Sequence, residues 1–341
     1  MKLLKWIVGI SAILVVVYLV GPSVEIPTLT KELPEVPTDL HELEKFVNTK
    51  EAAIPNIKPN NEGRIIWYDT IPTVTEYSIV YLHGFSASQA EGDPIHRDLA
   101  KLFGCNLYLP RIAGHGLKEK EPMLNLTAEE MMESAKEAIA IGMKIGKKVI
   151  FLSTSTGGTY SLYLAEGHPN IAALVMYSPN VDIYDQKSFL LTKPWGLQLA
   201  KLVKGSAYNE WPLDRIRANY WTNKYRIEVL TQLRAMMDQT MTEETFKTVT
   251  QPVFMGYYYR NDTAQDMTVS VPAMLKMYDE LGTPSAMKRK VDFPNANHHV
   301  IGSYLTSESV DAVENETIKF LEEVVGLKPV EQSPFVMGQP Y

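Results

Sequence analysis

Apolar residues follow two kinds of pattern, which alternate along the chain. Short runs rich in β-branched and aromatic residues, such as Tyr77–Leu82 and Lys148–Leu152, have the length and composition of strands. Between such runs, apolar residues recur every three or four positions, as expected of helices that bury one face. The predicted strands also include 64–69, 106–110, 172–177, 253–259 and 288–293, and the predicted helices are 95–103, 127–144, 158–166, 271–281 and 309–325. Because strands separated by helices form a mostly parallel sheet with helices on both faces, the pattern predicts an α/β fold.

The alternation is interrupted between residues 181 and 250. This segment contains helical stretches but no convincing strand, so we interpret 181–250 as a helical cap inserted over one end of the sheet. The core is then predicted to comprise 61–180 and 251–327, followed by a tail at 328–341.

The N-terminal segment, 1–23, carries the one long apolar run of the chain. Fifteen uncharged residues extend from Trp6 to Val20, and Lys2 and Lys5 precede them. A membrane-spanning helix needs ~17–25 apolar residues, whereas the core of a cleaved signal peptide has ~7–15. The sequence predicts an uncleaved membrane anchor, with a cleaved signal peptide and a secreted product as the alternative. Since the lysines favour a cytoplasmic N-terminus, the α/β domain is predicted to lie outside the cytoplasm.

Residues 24–60 are predicted to form a proline-rich stalk with one short helix. Six prolines within 22–59 exclude a long helix. Residues 38–53 nevertheless have a helical pattern, which Thr38 or Asp39 can cap. The apolar side chains of this helix share one face, which is predicted to pack against the α/β domain: Leu40, Leu43 and Val47.

Composition excludes several classes of protein. The net charge is −7 and no block of Lys or Arg occurs, so the basic surface expected of a nucleic-acid-binding protein is missing. The single cysteine, Cys105, excludes an intramolecular disulfide and a cysteine-rich zinc site. Evidence for function therefore has to come from short motifs on a globular domain.

The segment F-L-S-T-S-T-G-G at 151–158 joins a predicted strand to a predicted helix. A serine in such a turn is exposed at the end of the sheet, near a helix N-terminus whose partial positive charge favours an oxyanion. Ser155 is the candidate nucleophile. Ser153 stands where the usual Gly-x-Ser-x-Gly motif has its first glycine, a crowded position that accepts a small side chain. A turn without chemistry is the competing interpretation of this segment taken alone.

A second turn, Y-L-H-G-F-S-A-S at 81–88, follows an early strand. A His-Gly turn in this place is the usual source of one oxyanion-hole amide. The predicted donors are the backbone N–H groups of Phe85 and Thr156. His83, and His115 in the later turn P-R-I-A-G-H-G, are interpreted as structural histidines and not as the base.

Candidates for the acid and the base lie beyond the cap segment. Asp262 and Asp266 follow one predicted strand, and His298 and His299 follow the next. The order Ser, Asp, His along the chain differs from the orders in chymotrypsin and subtilisin and is the order found in α/β-hydrolases. Because every candidate follows a strand, loops at one edge of the sheet are expected to bring them together.

Taken together, these motifs resemble the α/β-hydrolase superfamily, in particular its branch of carboxylesterases, monoacylglycerol lipases and lysophospholipases. The matching pieces are L-H-G-F, L-P-R-I-A-G-H-G, S-T-S-T-G-G and the H-V-I after the last core strand, within residues 64–325. The resemblance implies an α/β-hydrolase fold, a Ser–Asp–His triad, a helical cap and no cofactor. It favours Asp266 over Asp262, because a valine commonly follows the acid of this family within two or three residues. It favours His299 over His298, because two apolar residues follow His299.

The resemblance implies a serine hydrolase that cleaves carboxylic esters through an acyl-enzyme on Ser155, with a small-molecule or lipid ester as substrate. An α/β-hydrolase-fold peptidase, an acyltransferase and a weakly catalytic ligand-binding protein are the alternatives, since one fold hosts many functions. The aromatic residues of the cap either line a pocket for acyl chains or form the core of the cap itself: Phe189, Trp195, Trp211, Tyr220 and Trp221. A membrane, reached through the N-terminal segment, is the other predicted partner.

Overall fold

The computed structural model describes residues 2–330 of the 341-residue chain, so the predicted tail at 328–341 lies outside the described residues from position 331 onward. The strands, in chain order, are β1 (Arg64–Ile66), β2 (Thr75–Leu82), β3 (Asn106–Leu109), β4 (Gly146–Thr154), β5 (Ile171–Tyr177), β6 (Tyr208–Glu210), β7 (Lys224–Arg226), β8 (Val253–Tyr257), β9 (Tyr259–Asn261), β10 (Ala264–Gln265) and β11 (Lys288–Asp292). Seven of these form one sheet in the order β1–β3–β2–β4–β5–β8–β11. Only β1 pairs antiparallel with its neighbour in this sheet, so the predicted mostly parallel sheet is confirmed.

Helices cover both faces of this sheet. The α-helices of the described residues, in chain order, are α1 (Lys2–Leu19), α2 (Leu40–Ala52), α3 (Ile95–Phe103), α4 (Ala128–Ile145), α5 (Thr156–Leu164), α6 (Gly196–Lys204), α7 (Glu228–Thr240), α8 (Glu243–Thr248), α9 (Val271–Glu280) and α10 (Val310–Phe320). Successive side chains of β2 enter two different hydrophobic clusters, with Val80 and Leu82 in one and Ile79 and Tyr81 in the other. Helices α4, α5, α7 and α9 supply the first cluster, and α3 and α10 supply the second.

The strands β2, β4, β5 and β8 end at the same edge of the sheet, which we call the carboxyl edge. Leu82 of β2 lies opposite Ser153 of β4, and Thr154 lies opposite Tyr177 of β5. The turns after these strands therefore begin at the same level. In open parallel sheets, ligands bind outside this edge.

The segment 181–250 contains α6, α7 and α8 and also a short antiparallel pair, β6–β7. The sequence predicts helices here but no strand. Each of these strands has only three residues and is partly exposed, so the alternation of buried and exposed positions that identifies a strand is too short to detect. Helix α7 packs against α4 and α5, which attaches the segment to the core.

Residues 24–60, which we call the arm, lie against the α/β domain. Asp39 is the N-cap of α2 and accepts two backbone N–H groups at 3.0 Å. The face of α2 that the sequence predicts to be buried is buried, through Leu43 and Val47. Glu51 near the end of α2 pairs with Arg111 in the turn after β3, at 2.8 and 3.0 Å between guanidinium nitrogens and carboxylate oxygens. The proline-rich segment is thus part of the packed domain.

The N-terminal apolar run forms α1, which begins at Lys2 and ends at Leu19. Within residues 2–330, no helix is both long enough and apolar enough to cross a membrane. Lys5 lies in the first turn of α1, so the uninterrupted apolar stretch falls short of the ~20 residues that a spanning helix needs. The predicted localisation, in which a single N-terminal segment spans the membrane and anchors the catalytic domain outside the cytoplasm, is therefore wrong, and a membrane contact through this segment is not supported.

Candidate active site

Ser155 lies between β4, which ends at Thr154, and α5, which begins at Thr156. Its φ of 55° and ψ of −119° lie in a positive-φ region that is unfavourable for a residue with a Cβ. Two backbone hydrogen bonds hold this conformation. The N–H of Ser155 donates to the carbonyl oxygen of Tyr177 at 2.9 Å, and its own carbonyl oxygen accepts from the N–H of Asn180 at 2.8 Å. The segment that follows β5 therefore keeps the strained turn in place.

Small residues make room for this turn. A Cβ on Gly157 would lie 1.8 Å from the carbonyl oxygen of Leu82, so glycine is required there. Ser153, which replaces the first glycine of the usual motif, is fully buried, and its Oγ donates to the carbonyl oxygen of Val175 at 3.3 Å. A hydroxymethyl group therefore fits this position without an unpaired polar atom.

The two predicted oxyanion-hole residues, Phe85 and Thr156, border one cavity at the carboxyl edge. Thr156 is the first residue of α5, so its N–H has no acceptor within the helix. His83 orients the other amide, because its Nδ1–H donates to the carbonyl oxygen of Gly84 at 2.9 Å while its Nε2 accepts from the N–H of Ile112. The carbonyl of Gly84 and the N–H of Phe85 belong to one planar peptide, so fixing the carbonyl fixes the direction of the N–H. Burial lowers the pKa of His83 to about 3, which keeps its ring neutral.

Asp266 and His299 form a buried pair at the same edge. The Nδ1 of His299 donates to Oδ2 of Asp266 at 2.6 Å. The other carboxylate oxygen, Oδ1, accepts the backbone N–H groups of Thr268 and Val269 at 2.8 and 3.1 Å. The hydroxyl of Ser178, just after β5, donates to the carbonyl oxygen of His299 at 2.8 Å. Both members of the pair are thus held by backbone contacts as well as by each other.

Electrostatics favours the charged forms of this pair despite burial. Burial alone would lower the pKa of His299, but the charge and hydrogen bond of Asp266, together with the charge of Glu91, raise it above its ordinary value. Burial alone would raise the pKa of Asp266, but His299 and the two backbone N–H groups lower it. His299 is therefore a stronger base than a free imidazole, and its neutral form carries the proton on Nδ1.

The competing candidates for acid and base have other partners. Asp262 is exposed, and its Oδ1 accepts from the hydroxyl of Tyr259 at 2.8 Å. The Nδ1 of His298 accepts from the N–H of Val300 at 3.0 Å, and burial lowers the pKa of His298 to about 4. Neither residue takes part in the buried acid–imidazole pair.

Ser155 and His299 line a common cavity of 540 Å³. The Nε2 of His299 is buried and has no hydrogen-bond partner among residues 2–330. A nitrogen in this state is available to a hydroxyl group, and catalytic hydrogen bonds of ligand-free enzymes often tighten only when substrate binds.

The segment 181–250 supplies the opposite wall of this cavity. We call these side chains the cap wall: Asn209, Trp211, Leu213, Arg217, Trp221, Tyr225, Leu230 and Leu233. Trp211 packs edge-to-face on Tyr225, and Tyr225 packs in the same way on Phe85 of the core. Aromatic contacts therefore connect the cap wall to the turn that carries one predicted oxyanion-hole amide.

The five aromatic residues singled out in 181–250 do not all fit one of the two interpretations. Trp211 and Trp221 line the cavity, and Tyr220 packs in a small cluster with Trp221. Phe189 and Trp195 are 47% and 39% exposed and lie outside the cavity lining.

Sequence reasoning missed two charged residues of the cavity, Glu91 and Arg217. Glu91 lies in the 3₁₀ helix Gln89–Gly92 after β2, and Arg217 lies in the segment 181–250. Neither residue belongs to a motif. For Glu91, the one signal in the sequence is that an acidic residue follows the His-Gly turn within a few positions. In residues 2–330, no group of three or more His, Cys, Asp or Glu side chains is arranged to hold a metal ion.

One curated relative is a thermostable monoacylglycerol lipase from Bacillus sp. (strain H-257), which is 32% identical to this chain over 105 residues. The matched part comprises 31% of this chain and 41% of that protein. The chain therefore matches less than half of the length of this relative.

Two solved structures illustrate the similarity in fold. One is described with the metagenome-derived lipolytic enzymes LipS and LipT and has a TM-score of 0.61 at 14% identity, covering 79% of this chain and 100% of that one. The other is the monoacylglycerol lipase of Paleococcus ferrophilus, with a TM-score of 0.55 at 17% identity, covering 76% and 98%. These similarities confirm the predicted α/β-hydrolase fold.

The family model that matches this chain is Hydrolase_4, described as Serine aminopeptidase, S33, and it spans residues 74–301. The matched range includes the turn at Phe85, the strained turn at Ser155 and the pair of Asp266 and His299. Because the match covers more than half of the chain, this protein belongs to the Hydrolase_4 family of α/β-hydrolases.

Proposed function

We propose that this protein is a serine hydrolase of carboxylic esters, with Ser155 as nucleophile, His299 as general base and Asp266 as the acid that orients it. The observation that carries the proposal is the state of the His299 imidazole. Its Nδ1 is bonded to Asp266, whereas its Nε2 has no partner among the described residues, and the ring shares a cavity with Ser155. Family membership and the similarity to a monoacylglycerol lipase support the ester as substrate.

In the first half of the reaction, Nε2 of His299 takes the proton of the Ser155 hydroxyl while Oγ bonds to the ester carbonyl carbon. The carbonyl oxygen becomes an oxyanion, and the N–H groups of Phe85 and Thr156 donate hydrogen bonds to it. His299 then gives its proton to the alcohol oxygen, and the bond between this oxygen and the acyl carbon breaks. The alcohol leaves, and the acyl group stays on Ser155.

In the second half, water takes the place of the alcohol. His299 removes a proton from water, and the resulting oxygen attacks the acyl carbon of the intermediate. Collapse of the second oxyanion returns the proton to Oγ of Ser155 and releases the carboxylic acid. Asp266 contributes to both halves, since it fixes the tautomer of His299 and stabilises the imidazolium that forms each time.

We infer that the substrate is an ester of an apolar acyl chain. Phe85 and most of the cap wall present aromatic or aliphatic side chains to the cavity, and burial of apolar surface favours binding of such a chain by ~25 cal/mol per Å². In this proposal, 181–250 is the cap that bounds the acyl site, and 61–180 with 251–327 form the catalytic core. A monoacyl ester fits a single cavity of 540 Å³.

A fluorophosphonate probe and a series of p-nitrophenyl esters test the proposal. We expect the probe to label Ser155 in the folded protein, and Ser155→Ala to reduce ester turnover by at least ~10³-fold. Ser153→Ala is the matched control, because it removes a neighbouring hydroxyl that bonds to Val175 and not to the reacting groups. Labelling of another serine, or an active Ser155→Ala protein, would contradict the assignment.

An aminopeptidase is the second candidate, because the matching family model carries that description. Aminoacyl p-nitroanilides, assayed beside the acyl esters, separate the two. Turnover of the anilides without turnover of the esters would contradict the ester as substrate while leaving Ser155 as the nucleophile.

A further inference from the structure

Glu91 is a buried carboxylate beside the candidate catalytic groups and has no place in the mechanism above. It is 2% exposed and lines the same cavity as Ser155 and His299. Burial raises its pKa to about 7, although the N–H of Gly84 and the charge of His299 lower it in part. Burying a carboxylate costs free energy unless the group is paired and hydrogen-bonded. The position of Glu91 therefore calls for a functional explanation.

The carboxylate of Glu91 connects to both turns of the site. Its Oε2 accepts the N–H of Gly84 at 2.5 Å, one peptide before the amide of Phe85. The hydroxyl of Tyr81 lies 3.3 Å from the same Oε2 and 3.0 Å from Oγ1 of Thr154, the residue before the nucleophile. Since a hydroxyl has one proton, Tyr81 donates to one of these two acceptors at a time, either Oε2 of Glu91 or Oγ1 of Thr154.

The other oxygen, Oε1, lies close to the nucleophile. A Cβ placed on Gly84 would be 2.8 Å from Oε1 of Glu91 and 2.9 Å from Cβ of Ser155. The distance between Oε1 of Glu91 and Cβ of Ser155 is therefore at most the sum of these two distances, and Gly84 lies between the two groups. A glycine at 84 is required for this approach, because any side chain would displace one of the two groups.

We propose that Glu91 is a positioning residue of this site, which holds the Gly84–Phe85 turn against the nucleophile and stabilises the protonated form of His299 during acyl transfer. The inference rests on the proposed function of Ser155 and His299. Two adjacent peptides of the turn are then fixed independently, because Glu91 binds the N–H of Gly84 and His83 binds its carbonyl oxygen.

The charges around His299 determine the sign of the effect. Asp266 contacts His299 from the loop after β10, and His298 precedes His299 in the chain. Glu91, in the 3₁₀ helix, lines the same cavity as His299 and acts on it through its charge. Arg217 of the cap acts on His298. Around Glu91, the titratable neighbours are Tyr81 of β2 and His299 itself. An ionised Glu91 favours the protonated form of His299, so removing its charge lowers the pKa of His299.

Glu91→Gln separates the charge from the hydrogen bond, since the amide oxygen of Gln can still accept the N–H of Gly84. We measure the rate of fluorophosphonate labelling of Ser155 and the kcat and KM for a p-nitrophenyl ester across pH. The acid limb of both profiles should move to lower pH by about one unit, and kcat should fall by about tenfold with KM unchanged. Glu119→Gln, an exposed carboxylate outside the cavity, gives the same change in net charge without these shifts.

Glu91→Ala removes the hydrogen bond as well, and its kcat should fall about tenfold below that of Glu91→Gln. If Glu91→Ala does not fold, the pH profile of Glu91→Gln still decides. A wild-type profile in Glu91→Gln, or a higher KM with an unchanged kcat, would overturn the inference. Failure of the wild-type protein to react with the probe at Ser155 would instead refute the proposed function, so the two failures are distinguishable.

Discussion

The two walls of the cavity that Ser155 and His299 line are built in different ways. On the core side, Ser155 and Asp266 are fixed by backbone hydrogen bonds at strand ends, and the carbonyl of His299 by the hydroxyl of Ser178. On the cap side, Leu230 and Leu233 lie on α7, whereas Arg217 lies in the short 3₁₀ helix Arg217–Asn219 and Trp221 in the loop that follows it. The positions of Ser155, Asp266 and His299 are thus set by turns that follow strands, whereas the cap wall depends in part on the loop around Arg217 and Trp221.

Contacts from distant parts of the chain hold the loop of the cap wall that follows Arg217. The Nζ of Lys58 in the arm donates to the carbonyl oxygens of Ala218 and Trp221 at 3.1 and 3.0 Å. The N–H of Thr222 donates to the carbonyl oxygen of Ser86, next to Phe85, at 2.7 Å. Changes on the core side are therefore expected to act on kcat, and changes in the cap wall or the arm on substrate binding.

The largest effect is expected from the acid–imidazole pair. His299→Ala and Asp266→Asn should each lower kcat by about 10⁴-fold, since a wrong imidazole tautomer has an effect of this size in a serine protease. His298→Ala and Asp262→Asn are the matched controls and should stay within about tenfold of wild type, because these side chains form hydrogen bonds with Val300 and Tyr259 and not with the pair. Steady-state kinetics with a p-nitrophenyl ester provides the measurement. A severe loss in either control, with activity retained in the corresponding partner variant, would reverse the assignment.

The sequence predicts the core side of the cavity better than the cap side. The turn at Ser155 is predicted from a local pattern of strand, turn and helix. The strained backbone at Ser155 lies within this same short segment. The preference for Asp266 and His299 rests on the apolar residues after each, and in the structure Val269 supplies a backbone N–H to Asp266. Local sequence therefore carries information about groups whose position is set by strand ends.

The remaining features depend on contacts that no local pattern encodes. Glu91 owes its place to the N–H of Gly84 and to Tyr81, in a 3₁₀ helix without a motif. The pair β6–β7 is too short to show alternation. For α1, the error lay in the length of the apolar run, since Lys5 lies in the first turn of the helix and the run begins only at Trp6.

A change in the cap wall should affect binding more than chemistry. Trp211→Ala removes an aromatic wall that packs on Tyr225, so KM for a long-chain p-nitrophenyl ester should rise by about tenfold. The kcat for p-nitrophenyl acetate, whose acyl group is too short to reach this wall, should change by less than about threefold. Trp195→Ala is the control, because Trp195 is a cap tryptophan outside the cavity lining. Equal losses for the short and the long ester would contradict a role of the cap wall in holding the acyl chain.

The smallest effect is expected from a change in the arm, which lies outside the cavity but contacts the cap wall through Lys58. Lys58→Met keeps the length of the side chain but removes the ammonium that binds Ala218 and Trp221. A hydrogen bond from a charged donor contributes ~1.5–3 kcal/mol, part of which these partly buried carbonyls recover from water. KM for the long ester should therefore rise about threefold, with kcat for the acetate unchanged. Lys120→Met, an exposed lysine outside the cavity, should leave both parameters at wild-type values. A fall in kcat for the acetate without a change in KM would mean that the arm acts on the carboxyl edge itself, and the division of roles between the two walls would be wrong.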